Sequence, residues 1–273
     1  MQAASRESYA AAAQRLEAHA RRANPDTIAG TANDVLAVAD LLRREPRLRR
    51  ALSDPARPGE DRAGLLGSLL AGKVGKAGLD LVSALVSGRW SAPSELLSAT
   101  ERLGVEALLA SADRAGDLGE VEDELFRFGQ VVSANLPLAA TLGDVVAPAS
   151  QRAELARALL GGKAKPITLR LVEVALSGFG GRSFEGALTR LVELSADRRD
   201  RQVAYVTVAA LLTDEEERRL GAKLSELYGR EVSIKQQVQP EILGGMSVRV
   251  GSDLYDGTVL RRLTDTRNAL AKR

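Results

Sequence analysis

A chain of 273 residues with 45% hydrophobic and 27% charged positions holds apolar material for more than one packed core and a well-hydrated surface. Cysteine is absent and His19 is the only histidine, which excludes disulfides, thiolate or multi-histidine metal sites and cysteine nucleophiles. The 38 basic and 36 acidic side chains leave a net charge of +2. With no basic face interleaved with aromatics, nucleic acid is not an expected partner.

No segment reads as membrane-spanning. The longest uncharged run, Phe128 to Gly143, contains Gln130, Asn135 and Pro137 and falls short of the roughly 18 apolar residues a span needs. At the N-terminus, Arg6 and Glu7 lead into an alanine-rich polar helix, which is not the basic-then-apolar layout of a signal peptide. The expectation is a soluble protein of a reducing compartment that meets a membrane only indirectly, through partners.

From Ser5 to about Asp197 the pattern is helical. Apolar residues recur at spacings of three and four in Val35-Val38-Ala39-Leu42, Leu65-Leu69-Leu70 and Leu79-Val82-Leu85-Val86, the stripe of a helix with one buried face. Breaks at Asn24-Pro25-Asp26, Pro55 to Gly59, Gly72 to Gly78 and Ala147-Pro148 are helix punctuation. The aromatic share is only 3%, so the cores must be built from Leu, Val and Ala, a composition suited to closely packed helices.

The helical text occurs twice. Asp54, Pro58, Arg62, Leu65, Leu69, Leu70, Gly72 and Lys73 return ninety positions later as Asp144, Pro148, Arg152, Leu155, Leu159, Leu160, Gly162 and Lys163. The register continues through Leu79, Val82 and Ser87-Gly88, matched by Leu169, Val172 and Ser177-Gly178. Leucine matches alone could arise by chance, but Asp, Pro, Arg, Gly-Lys and Ser-Gly in one register point to duplication of a helical module. The duplicated text covers at least 41–95 and 131–185.

Beyond Arg198 the period changes. Val203 to Val208 is a β-branched run of strand character. Thr213 with Glu216 forms a capping box. The helix it opens carries Leu220, Leu224 and Leu227 on one face and stops at Gly229. Val232-Ile234-Val238 and Met246-Val248-Val250 alternate with polar residues and predict two adjacent strands. Asp256-Gly257 turns the chain into a last helix striped by Leu260, Leu263 and Leu270. The expected fold is mainly α: helical bundles at 1–112 and 113–198, then a small α+β unit, β-α-β-β-α, at 199–273.

This last unit carries Gly244-Gly245-Met246-Ser247-Val248-Arg249-Val250-Gly251, then Asp256-Gly257-Thr258-Val259. The run resembles the signature of the ATP synthase delta subunit, whose mitochondrial counterpart is the oligomycin-sensitivity-conferring protein. Ser252, Tyr255 and Thr258 depart mildly from that pattern. Tyr9-Ala10 in the first helix and the loop Ser87-Gly88-Arg89 are similar to the family's N-terminal bundle. The duplication departs from its common single-bundle layout.

The resemblance implies a non-catalytic peripheral-stalk subunit at the cytoplasmic face of the cell membrane, without cofactors. Its bundle would grip N-terminal helices of alpha subunits, and its last domain would join the b-type stalk subunit. On this reading Leu16, Leu36, Leu79 and Leu85 include the groove faces of the bundle, although core packing is their default role. Gly244, Gly245, Gly251, Asp256, Gly257 and Thr258 are then architectural, fixing the hairpin and the start of the final helix. The alternative from another class is a generic helical-repeat adaptor unrelated to ATP synthase.

Five other features are weighed against bland roles. Gly67 to Lys73 has phosphate-loop spacing, but Val74 stands where a magnesium-binding hydroxyl belongs and the stretch lies in a helical stripe. It reads as a helix end with Gly72 and Gly162 as caps. His19 reads as a solvated surface histidine, and Trp90 as a core plug or loop anchor. The cluster Arg43-Arg44-Glu45-Pro46-Arg47-Leu48-Arg49-Arg50 reads as a solvated face, and Arg198-Arg199-Asp200-Arg201 as an exposed linker.

Overall fold

The computed structural model describes residues 2–271, without the side chains of Asp265 and residues 268–271, so Leu270 of the expected last stripe lies outside the described residues. Helices fill the first two hundred residues: α1 (Ala3–Ala20), α2 (Pro25–Arg44), α3 (Pro46–Ser53), α4 (Gly59–Leu70), α5 (Lys76–Ser87) and α6 (Pro93–Ala115). They continue as α7 (Leu118–Ser133), α8 (Leu136–Gly143), α9 (Ala149–Leu160), α10 (Pro166–Leu176) and α11 (Phe184–Arg198).

The ninety-residue register is geometrical as well as textual. Helices α3 and α4 recur as α8 and α9 with both ends displaced by ninety, and α5 recurs as α10 from the same starting offset. Gly72 and Gly162 follow the matched helices at φ +71° and +72°, the left-handed C′ conformation that favours glycine. Asp34 of α2 accepts the Gly75 N–H at 2.8 Å, and its counterpart Glu124 of α7 accepts the Lys165 N–H at 3.0 Å. Each carboxylate therefore meets the positive start of a helix whose first donors lack partners.

Helix α6 holds two places at once. It starts ninety positions after α1 and packs against α1, α2 and α3 in the first module. It also packs against α10 and α11 in the second. It passes unbroken through the expected boundary at 112/113 and ends at Gly116, φ +81°. Thirteen residues of α6 are buried, Leu96, Leu103, Leu108 and Leu109 among them. One apolar core runs from Tyr9 through both modules as far as Val203. Where α2 crosses α6, a Cβ on Gly104 would stand 2.6 Å from the Leu36 side chain. Only glycine admits that approach.

The C-terminal unit opens with β1 (Arg201–Val208), α12 (Asp214–Tyr228) and β2 (Glu231–Val238). It closes with β3 (Met246–Val250), β4 (Asp253–Asp256) and α13 (Val259–Ala271). The capping box is formed: Thr213 Oγ1 accepts the Glu216 N–H at 3.3 Å, and Glu216 accepts the Thr213 N–H at 2.9 Å. Two details differ from the sequence expectation. The two alternating runs are not neighbours, because β1 lies between them in the order β2-β1-β3-β4, parallel to β2 and antiparallel to β3. There is also a fourth strand, so the hairpin turns at Gly251-Ser252, with Gly251 at φ +58°, while Asp256-Gly257 leads out of the sheet. Loop-separated strands often pair through a third, and alternation reports the buried face without naming the neighbour.

Candidate functional site

Each face of the sheet is spoken for by alternation. Ala204, Val206 and Val208, with Val232, Val248 and Val250, share a core with Leu224 of α12. On the opposite face Val203 joins the core of the helical modules, and Tyr205 packs against it. The register brings Ser233 beside Val203, and Lys235 and Arg249 beside Tyr205. The polar positions of these strands therefore face α7 and α11. The Tyr205 and Phe126 rings meet at 6.3 Å, and the Arg249 guanidinium lies over Tyr205 at 4.7 Å. Burial pushes the Tyr205 hydroxyl well above the usual tyrosine range.

The glycine-rich signature forms one corner. A Cβ on Gly245, at φ +78°, would come within 2.4 Å of the Gly257 carbonyl. The Gly257 N–H donates to Met246 O at 2.9 Å and the Val259 N–H to Gly244 O at 3.0 Å. Asp256 Oδ1 accepts from the Thr258 N–H at 3.0 Å and from its hydroxyl at 2.7 Å. Thr258 Oγ1 then accepts the Arg261 N–H at 3.3 Å, capping α13. Hydrogen bonds from the Thr258 side chain and backbone hold the Asp256 carboxyl below its usual range. These hydrogen bonds hold the start of α13 against the start of β3. Tyr255, the aromatic departure in this run, shares a 3.0 Å hydroxyl contact with Tyr228, which donates to Asp253 at 2.9 Å. That contact ties β4 to the end of α12.

Beyond the corner the apolar stripe has no cover. Leu260 and Leu263 of α13 are 63% and 56% exposed, Leu254 of β4 is 65% exposed, and Leu243 stands equally open in the preceding loop. Leu227 is also exposed, so α12 meets the sheet through Leu220, Leu224 and Tyr228. Leu254 escaped the sequence reading because β4 is short and bounded by Asp253 and Asp256. Its signal is the alternation across the β3 to β4 turn, which pairs it with Arg249.

The bundle leucines lie mostly inside. Leu16 and Leu85 are fully buried, Leu36 is buried against Gly104, and Leu79 is the one of the four with partial exposure. Their default role, core packing, is the position they occupy here. Trp90 is buried and donates from Nε1 to Leu85 O at 2.8 Å, a loop anchor as expected.

Three solvated readings are corrected. His19 is half-buried, its Nε2 3.1 Å from Thr31 Oγ1, and links α1 to α2. Arg43 reaches Glu101 of α6 at 2.8 Å, and Glu101 also accepts the Gly180 N–H from the second module at 2.9 Å. Arg198 bridges Glu17 at 2.7 Å and Asp113 at 3.2 Å, and Arg199 reaches Glu122. For these arginines a partner distant in sequence converts a surface cation into a strut. Arg44, Arg47 and Arg50 do remain exposed.

Among the described residues no cluster of His, Asp and Glu is suited to hold a metal ion, and no helix is long and apolar enough to cross a membrane. The phosphate-loop look-alike is the end of α4, with Gly72 left-handed and Lys73 exposed. The described residues form two helical modules and a docked α+β domain, with Leu254, Leu260 and Leu263 exposed. Residues 105–270 match the family model of the ATP synthase delta (OSCP) subunit, and the chain belongs to that family. A relative named ATP synthase subunit delta, from Salinispora arenicola, is 72% identical over 274 residues, covering 100% of each chain. Another of the same name, from Streptomyces griseus subsp. griseus, is 46% identical over 271 residues, covering 99% of this chain and 100% of its own.

Proposed function

We propose that the chain is a peripheral-stalk subunit of a proton-translocating F-type ATP synthase, standing at the cytoplasmic face of the cell membrane and held there through its partners. A helical module takes N-terminal helices of the alpha subunits, and the C-terminal domain takes the b-type stalk subunit. The task is mechanical: to keep the catalytic head from turning with the rotor, so that proton flow does work on ATP synthesis. No bond is made or broken in this chain.

The observation that carries the reading is the exposure of Leu254 on β4 and of Leu260 and Leu263 on α13 in a chain whose family is known. Three large apolar side chains left in water suit an amphipathic stalk helix. The family match covers the second module and the C-terminal domain. This supports the second module as the one in the family's usual position, with the first as an added copy that shares α6.

Affinity purification from native membranes tests this. Recovery of alpha, beta and b-type subunits with the chain is the expected result. Their absence under low salt and gentle detergent would overturn it in favour of a helical-repeat adaptor. ATP turnover by the isolated chain, abolished by Lys73→Ala, would overturn the non-catalytic part.

A further inference from the structure

Glu122 of α7 is a fully buried acidic side chain on the face of the second module that meets β2. Its three donors come from outside that module's helices. Ser233 Oγ donates to Oε1 at 2.8 Å, Lys235 Nζ lies 2.7 Å from the same oxygen, and Arg199 Nη1 lies 3.2 Å from Oε2. Lys235, itself 5% exposed, also reaches Asp123 at 2.6 Å. Ser233 and Lys235 sit on the bundle-facing side of β2, and Arg199 lies just after α11.

A buried carboxylate is tolerated only while its partners stay in place, and removing them leaves a desolvated charge. Any swing of the C-terminal domain away from α7 would withdraw Ser233 and Lys235 together and strip Glu122. The same motion would pull Val203 and Tyr205 out of the bundle core.

The first module cannot offer this seat. At the equivalent positions of α2 it has Ala32 and Asn33, and Asn33 accepts instead from Arg170 at 2.9 Å. Gly119 belongs to the seat as well, since a Cβ there would stand 3.2 Å from Arg199 Nη1. The first copy has Ala29 at that position.

We propose that Glu122 is an interdomain lock: the second module and the C-terminal domain form one rigid arm, and the Arg199-Asp200 connection is not a hinge. The lock fixes the angle between whatever each part grips. It also commits the C-terminal domain to the second of two otherwise matching modules.

The chain has no cysteine, so nitroxide labels can be placed cleanly in the full chain at Ala158→Cys on α9 and Ala222→Cys on α12, both exposed. Pulsed dipolar spectroscopy on this pair is expected to give a single narrow distance peak. Glu122→Ala loses that peak to a broad distribution while the helical circular dichroism is kept. Glu215→Ala, which breaks an exposed pair with Arg219, leaves it narrow. Where Glu122→Ala reduces the helical signal, Lys235→Met, which leaves α7 untouched, is read in its place. A broad distribution in the unaltered chain, or a narrow peak in a folded lock variant, overturns the proposal. No partner is needed for this measurement. Its failure therefore leaves the stator reading standing, and failure of the membrane capture leaves the lock standing.

Discussion

Arg62 and Arg152, ninety positions apart, make the same buried bond. Each donates from Nη1 to the carbonyl of a leucine ten residues earlier, Leu52 at 3.3 Å and Leu142 at 3.1 Å, and each leaves its Nε without a partner. The shared arginine thus ties the fourth helix of each module to the end of the third. The two then diverge, because Arg62 also reaches Ser87 O and Gly88 O. The chain after α10 instead enters a short 3-10 turn through left-handed Gly178.

Arg62→Ala should therefore cost more than Arg152→Ala. Removing a charged donor from three buried or half-buried carbonyls costs about 2–4 kcal/mol, and from one carbonyl about 1–3 kcal/mol. Denaturant unfolding of the two variants checks the order as well as the size. Equal losses would mean that the loop carbonyls are satisfied by water when the guanidinium is gone.

The signature glycines are expected to differ in sensitivity. Gly245→Ala places a Cβ 2.4 Å from the Gly257 carbonyl at φ +78°, and neither backbone segment can yield. It should destabilise the C-terminal domain by more than about 2 kcal/mol. Gly251→Ala, at φ +58° with its nearest atom 3.8 Å away, meets only the left-handed penalty of about 1 kcal/mol. Thermal melts of both proteins separate a clash from a conformational preference.

The capping box predicts a pH dependence. Hydrogen bonds from the Thr213 backbone and side chain hold the Glu216 carboxyl below its usual range. A group whose folded pKa is depressed contributes stability above its unfolded pKa and loses it as pH falls through the folded value. Comparing the parent with Glu216→Gln by denaturant unfolding from about pH 6 down to about pH 3 should show a gap that closes on acidification. Thr213→Ala should cost about 1 kcal/mol near neutrality.

Leu254→Glu with Leu260→Glu should leave folding unchanged, because both side chains already face water. The same pair should weaken capture of the b-type subunit by about tenfold or more, the scale of a lost apolar anchor. Unchanged affinity in a binding titration would move the stalk contact off this stripe.

Much of this molecule was legible in its sequence. The helical periodicity, the two left-handed glycine caps, the capping box, the three strand runs and the duplication all follow from local rules, in which a residue's neighbours along the chain set its conformation. The strand Asp253–Asp256 and the order of the sheet did not, because pairing is decided by which edge a returning chain finds. The roles of the charged residues were the least legible. Arg43, Arg198 and Arg199 look like solvated cations in the sequence because their partners Glu101, Glu17, Asp113 and Glu122 lie between 58 and 181 positions away. Likewise Leu16, Leu36 and Leu85 share the apolar character of Leu260 and Leu263, and only the packing decided that the first three are buried and the last two uncovered. The sequence alone determined the helices and their duplication, three of the four strands, and the family. Tertiary structure decided which faces remain free and which charges act as struts, since burial and ion pairing depend on distance in space, which local pattern does not encode.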